Sequence, residues 1–295
     1  MNIWVSEYGD RSSRTVTYLS QTLAALLFVL GLALPVSMSG QGLNRTEDVT
    51  FFSTALNKNA EFSVVIPAQA PPAGGYSVLV ILHGLGRTHR TLLENADTLA
   101  LLEKQNYLIV LPDSGKGWWL DSTVSGAKYE SMLTEVLQQV EQRYHVSTAP
   151  ERWGIAGWSM GGFGAVHFAE RHASRFGFVG SIIGLLDFPR TDLPEGQNFR
   201  VDTSVFGSDA GAWGAENPSQ HVKALAGKKV VVVIADEAFD RTMNENFLQQ
   251  ARVAGLQPEV VHIPGGHIFS SVAQGLEILL PRATSYFASA GSGAH

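Results

Sequence analysis

Trp153-Gly-Ile-Ala-Gly-Trp-Ser-Met-Gly-Gly-Phe-Gly164 is the stretch that decides how this chain is read. Within it, Gly157-Trp158-Ser159-Met160-Gly161 fits G-x-S-x-G, the spacing of a nucleophile on a tight strand-to-helix turn. Ile155 and Ala156 predict the end of a buried strand, and Phe163, Ala165, Val166, Phe168 and Ala169 predict one side of a helix. So sharp a turn strains the backbone at Ser159 and lifts its hydroxyl clear of the sheet. Side chains two residues before or after it would collide, which accounts for Gly157 and Gly161. The new helix also aims its free N–H groups at the reacting centre, where a developing oxyanion could use them.

The flanking sequence supplies the rest of a sheet. A polar segment runs into a strand at Phe62–Ile66, closed by Pro67. Tyr76–Leu82 is a continuous apolar run, typical of a strand covered on both faces, and it ends in His83-Gly84-Leu85-Gly86. Further strands are expected at Tyr107–Leu111, Phe178–Ile183, Lys229–Ala235 and Pro258–Ile263. Helices are expected over Thr91–Gln105, Tyr129–Tyr144, Asp240–Ala254 and Ser271–Phe287. This alternation predicts an α/β fold, a mostly parallel central sheet with helices on both faces. In such sheets the site lies beyond the carboxyl ends of the strands, where Ser159, His83, Asp236 and His267 all fall. Residues 185–228 are rich in Pro and Gly, and read as a cap-like insertion over the site.

A serine nucleophile needs three partners. His267, in the turn after the last strand, is placed to act as base, and the chain order Ser, acid, His is kept. An imidazole base predicts activity that falls in acid. The acid that orients the imidazole should follow the strand ending at Ala235, where Asp236, Glu237 and Asp240 compete. Asp240 reads as the N-cap of the next helix, so Asp236 is preferred. Backbone N–H groups of Met160 and Leu85 are the expected oxyanion donors, with His83 holding the second loop in shape. Trp118 and Trp119 fit either the wall of an acyl or aryl pocket or the packing beneath a loop.

Composition sets the outer limits. With 295 residues, 45% of them hydrophobic, the chain can bury one large α/β core. The net charge of −6 and the lack of a basic patch argue against nucleic acid as a partner. There is no Cys, which removes disulfides, a thiol nucleophile and Cys-based metal sites. His167 and His172 are five apart, wrong for one helix face, and Gly84-Leu-Gly-Arg-Thr-His89 lacks the third Gly of a dinucleotide fingerprint. No cofactor or metal is expected. Residues 1–40 order a basic, an apolar (Leu23–Leu34) and a small-residue segment, as a secretory signal peptide or N-terminal hydrophobic segment does. Export is expected on that pattern, with any membrane association confined to it, leaving 41–295 as the catalytic domain.

Several blocks occur together in order: His83-Gly-Leu-Gly, Leu111-Pro-Asp, Trp119-Leu-Asp-Ser122, Gly157-Trp-Ser-Met-Gly-Gly-Phe-Gly-Ala165, Asn217-Pro218 and Pro264-Gly-Gly-His267. Over about residues 50–288 the chain resembles the esterase D-like branch of the α/β-hydrolases. The resemblance implies an α/β-hydrolase fold, Ser159 as nucleophile, His267 as base, and oxyanion donors at Leu85 and Met160. It departs from the family at Trp158, and at Ala235 and Ala238, where the family has a Gly and the acid. The expected function is hydrolysis of small-molecule, lipid or carbohydrate carboxylic esters through an acyl-enzyme on Ser159. Two other readings stand beside it: an exported acyltransferase passing the acyl group to a sugar or lipid alcohol, and a non-catalytic binding protein on the same scaffold.

Overall fold

The computed structural model describes residues 44–192 and 200–292, with side chains to residue 290. The expected signal or anchor segment, 1–40, lies outside the described residues, as does 193–199 of the expected cap. Among the described residues, eight strands form one sheet: β1 (Arg45–Ser53), β2 (Lys58–Ile66), β3 (Val78–Leu82), β4 (Leu108–Pro112), β5 (Trp153–Trp158), β6 (Phe178–Ile182), β7 (Lys229–Ala235) and β8 (Glu259–Ile263). Their spatial order is β1-β2-β4-β3-β5-β6-β7-β8. β1, β2 and β4 pair antiparallel, and every pairing from β4 to β8 is parallel.

The α-helices of the described residues are α1 (Ala96–Leu102), α2 (Tyr129–Arg143), α3 (Met160–Arg171), α4 (Thr203–Phe206), α5 (Arg241–Val253) and α6 (Phe269–Ser292). Strand alternation divides the core. Val78, Val80 and Leu82 of β3 and Val230, Val232 and Ile234 of β7 pack in one cluster with α2, α3 and α5. Leu79 and Ile81, with Val231, Val233 and Ala235, face the other cluster, which holds Leu102 of α1 and Val272, Leu276 and Leu279 of α6. Both faces of the central strands are therefore covered, and this is why they read as unbroken apolar runs.

Two elements differ from the sequence reading. β1 was not expected; it is an edge strand whose alternate residues face solvent, so its sequence carries no apolar run. The helix expected over Thr91–Gln105 begins only at Ala96, because the side chain of Asn95 accepts from the N–H of Thr98 and fixes the helix start there.

One buried acid sits outside the chemistry described below. Glu170 of α3 is buried and neither carboxyl oxygen has a hydrogen-bond partner among the described residues. Burial pushes its pKa well above the ordinary 4.5. The folded protein thus holds a proton there that the unfolded chain releases once the pH exceeds about 4.5, so this group lowers stability as pH rises. Glu170→Gln should gain on the wild type in urea unfolding as the pH climbs from about 4.5 to about 8. A difference between the two proteins that does not change with pH would refute the assignment.

Candidate active site

β5 leads into α3 through Ser159, whose backbone (φ 56, ψ −123) lies outside the regions open to most L-residues. The turn is held by Ser159 N–H to Ile182 O at 3.1 Å and Phe163 N–H to Ser159 O at 3.0 Å. The glycines around it are steric necessities. A Cβ at Gly157 would lie 2.2 Å from Gly161 O, and one at Gly161 would lie 2.0 Å from Leu82 O. An Ala in a helix is normally favoured over Gly by about 1 kcal/mol. At position 161 the clash is with the backbone of β3, which cannot move without breaking the sheet. Gly161→Ala is therefore expected to destabilise the fold by at least the ~1–3 kcal/mol of an overpacked core. A urea midpoint unchanged from wild type would contradict this.

His267 follows β8 through Gly265 and Gly266, and its Nε2 lies 2.8 Å from Ser159 Oγ. Its Nδ1 lies 2.6 Å from Oδ1 of Asp240. The expectation of Asp236 as the orienting acid is thereby corrected. Asp236 is half-exposed and reaches sideways to Nδ1 of His262 on β8 at 2.7 Å, away from His267. Glu237 is also exposed. Asp240 is fully buried. It does occupy the N-cap position of α5, but its side chain makes no capping bond and turns inward instead. Its Oδ2 accepts from Asn244 Nδ2 at 2.9 Å, and the same amide donates to Gly184 O at 2.8 Å.

Asn244 thus ties the carboxylate to the loop after β6, a role the sequence reading missed. Its spacing of one helical turn from Asp240 was the available signal. Two ladder-like bonds, Asp236 N–H to Ile263 O and Glu237 N–H to Gly265 O, both 2.9 Å, lock the acid loop to the histidine loop. The ring of Phe239 stacks on His267 at 4.4 Å between centroids.

The loop after β3 borders the same serine. Arg87 N–H donates to Gly84 O at 3.1 Å, and Gly86 has φ +69, closing a four-residue turn with Leu85 at its second position. A Cβ at Gly84 would sit 2.9 Å from Trp158 Nε1 and 3.3 Å from Ser159 Cβ, so only Gly lets this loop approach Ser159 so closely. Leu85 and Met160 donate to no carbonyl in the turn, loop and cap bonding among the described residues. His83 is buried. Its Nε2 accepts from Ser114 N–H at 3.0 Å, which places its proton on Nδ1, 2.8 Å from Gly84 O.

Trp119 packs beneath this loop and Trp118 in the core beside it, and neither lines the cleft at Ser159. Trp119 Nε1 donates to His83 O at 3.2 Å, and Trp118 stacks on Phe188 at 5.0 Å; both are fully buried. His167 and His172 pair with the carboxylates of Glu216 and Glu130. No group of three His, Cys, Asp or Glu that could hold a metal occurs among the described residues.

A cleft of about 450 Å³ opens on Ser159 and His267. Leu85, Trp158, Ile183, Phe239, Ile268 and Phe269 supply its apolar wall, and Arg87 also lines it. No described residue of 185–228 lines it. The described residues of that segment pack against α3 and α5, with Phe206 edge-on to Trp118.

A family described as "Putative esterase" matches residues 53–264, which include Ser159 and Asp240. The chain belongs to this esterase family. Esterase Rv1288 of Mycobacterium tuberculosis (strain ATCC 25618 / H37Rv) is 26% identical over 251 residues, which are 74% of this chain and 55% of that protein. The chain thus spans about half the length of the curated relative it matches. Among solved structures, a ferulic acid esterase superposes with a TM-score of 0.70 at 24% identity, covering 83% of this chain and 98% of that one. FphF, a fluorophosphonate-binding serine hydrolase of Staphylococcus aureus, superposes at 0.71 and 17% identity, covering 82% and 99%. These likenesses give the chain an α/β-hydrolase fold.

Proposed function

We propose that the protein is a serine esterase that cleaves carboxylic esters through an acyl-enzyme on Ser159. The observation that carries this reading is the unbroken hydrogen-bond chain from Ser159 Oγ through His267 to the buried Asp240. The ester carbonyl carbon is attacked by Ser159 Oγ as His267 Nε2 takes the hydroxyl proton. Asp240 holds the proton of the imidazole on Nδ1, leaves the Nε2 lone pair facing the serine, and stabilises the imidazolium that forms. The N–H groups of Leu85 and Met160 are the donors available to the oxyanion. The tetrahedral intermediate collapses, the C–O bond to the alcohol breaks, and His267 returns the proton to the leaving oxygen. Water then attacks the acyl-enzyme with the same His267 as base, freeing the carboxylic acid and Ser159.

Leu85, Phe239 and Ile268 are exposed at the mouth of the cleft, which leaves it open to water as the acyl acceptor. Incubation with a short-chain 4-nitrophenyl ester, followed by mass analysis after a fluorophosphonate, tests both parts of the proposal. Ester turnover with a single adduct on Ser159 supports it. A folded protein that neither turns over ester nor labels supports the binding-scaffold reading instead.

A further inference from the structure

The apolar cleft carries one charge that the ester chemistry does not use. Besides His267, Arg87 is the single ionisable residue among the described residues lining it, and none of those residues is a carboxylate. Asp240, the nearest acid in the mechanism, has no exposed surface and is spent on His267 and Asn244. The guanidinium of Arg87 is exposed and has neither a carboxylate nor a carbonyl partner among the described residues. Arg90, three residues on, shows the contrast: it is tied to Asp48 and Glu94. The backbone of Arg87 is fixed to the oxyanion loop by its bond to Gly84 O. The charge therefore has a defined origin within the wall that also presents Leu85 to the scissile carbonyl.

We propose that Arg87 is a specificity-determining residue that selects esters bearing an anionic group, a carboxylate, sulfonate or phosphate, next to an apolar body. This rests on the esterase reading given above. A planar guanidinium offers paired N–H donors that match such oxyanions, and its hydrogen bonds to a charged acceptor are about twice as strong as neutral ones. On open surface such a pair is worth little because water screens it. Beside Leu85, Phe239 and Ile268, a bound ester body excludes water from one side of the pair and raises its worth. An anion is the ligand charge that finds no opposing carboxylate in the cleft.

Two matched substrate pairs test this. Mono(4-nitrophenyl) glutarate against 4-nitrophenyl valerate places the anion on the acyl side. 4-Acetoxybenzenesulfonate against phenyl acetate places it on the alcohol side. Intrinsic reactivity cancels when each ester is compared between wild type and Arg87→Gln. The variant should lose about 10-fold or more in kcat/KM for the anionic member of at least one pair, chiefly through KM, the worth of one charge-assisted hydrogen bond. The neutral members should change by less than about twofold, and Arg87→Lys should recover part of the loss. If Arg87→Gln lowers both members of each pair alike, or neither, the inference is wrong while the esterase reading stands. If the wild type turns over none of the four esters, the esterase reading fails and takes this inference with it.

Discussion

Ser159→Ala should lower kcat for a short-chain 4-nitrophenyl ester by about 10⁴- to 10⁶-fold, with the protein still folded. The size of the effect follows from what the alanine removes. In the proposed mechanism the hydroxyl supplies the oxygen that bonds to the acyl carbon, and without it His267 Nε2, 2.8 Å away, is left with only water to activate. The oxyanion donors and the cleft persist, so a residual rate above that of water alone is expected. Stability should change little, because the strained backbone at φ 56 is imposed by Gly157, Gly161 and the sheet, not by the hydroxyl. Parallel kinetics and thermal melts check both halves. Wild-type turnover in a folded Ser159→Ala protein would remove the nucleophile from the proposed mechanism.

Asp240→Asn should cost about 10⁴-fold in kcat/KM, while Asp236→Asn changes it by no more than about twofold. An Asn amide at position 240 can donate to Nδ1, which drives the imidazole proton to Nε2 and takes the lone pair away from Ser159. It also removes the charge that steadies the imidazolium, in a site with no exposure to water. Asp236 stands half in solvent against His262, where an ion pair is screened and can be lost without affecting the serine. The two variants assayed side by side give the answer. A collapse confined to Asp236→Asn would mean that the hydrogen-bond chain described here is not the catalytic one.

These predictions also mark where the sequence was legible. Gly157 and Gly161 could be read because their reason is local: a turn of that sharpness leaves no space for a Cβ, and the clashes at 2.2 and 2.0 Å bear this out. The placement of His267 followed from chain order and a Gly-Gly turn after the last strand. β1 was missed because an edge strand buries only alternate side chains and needs no apolar run. Trp118 and Trp119 could not be assigned, since a large aromatic suits a pocket wall as well as a core; contact with Phe188 and His83 decided it.

By itself, the sequence determined an α/β sheet, a serine at its strand-to-helix turn and an imidazole after its last strand, because periodicity and glycine sterics act over a few neighbouring residues. Only the tertiary structure decided which acid completes the chain. Asp236 and Asp240 are four residues apart in one loop and helix start, and both suit it locally. What separates them is the fold around them: β8 and His262 draw one into solvent, while Gly184 and His267, from distant parts of the chain, converge with Asn244, one helical turn on, to enclose the other. Burial and orientation of a carboxylate are properties of those converging segments, and no pattern of adjacent residues encodes them.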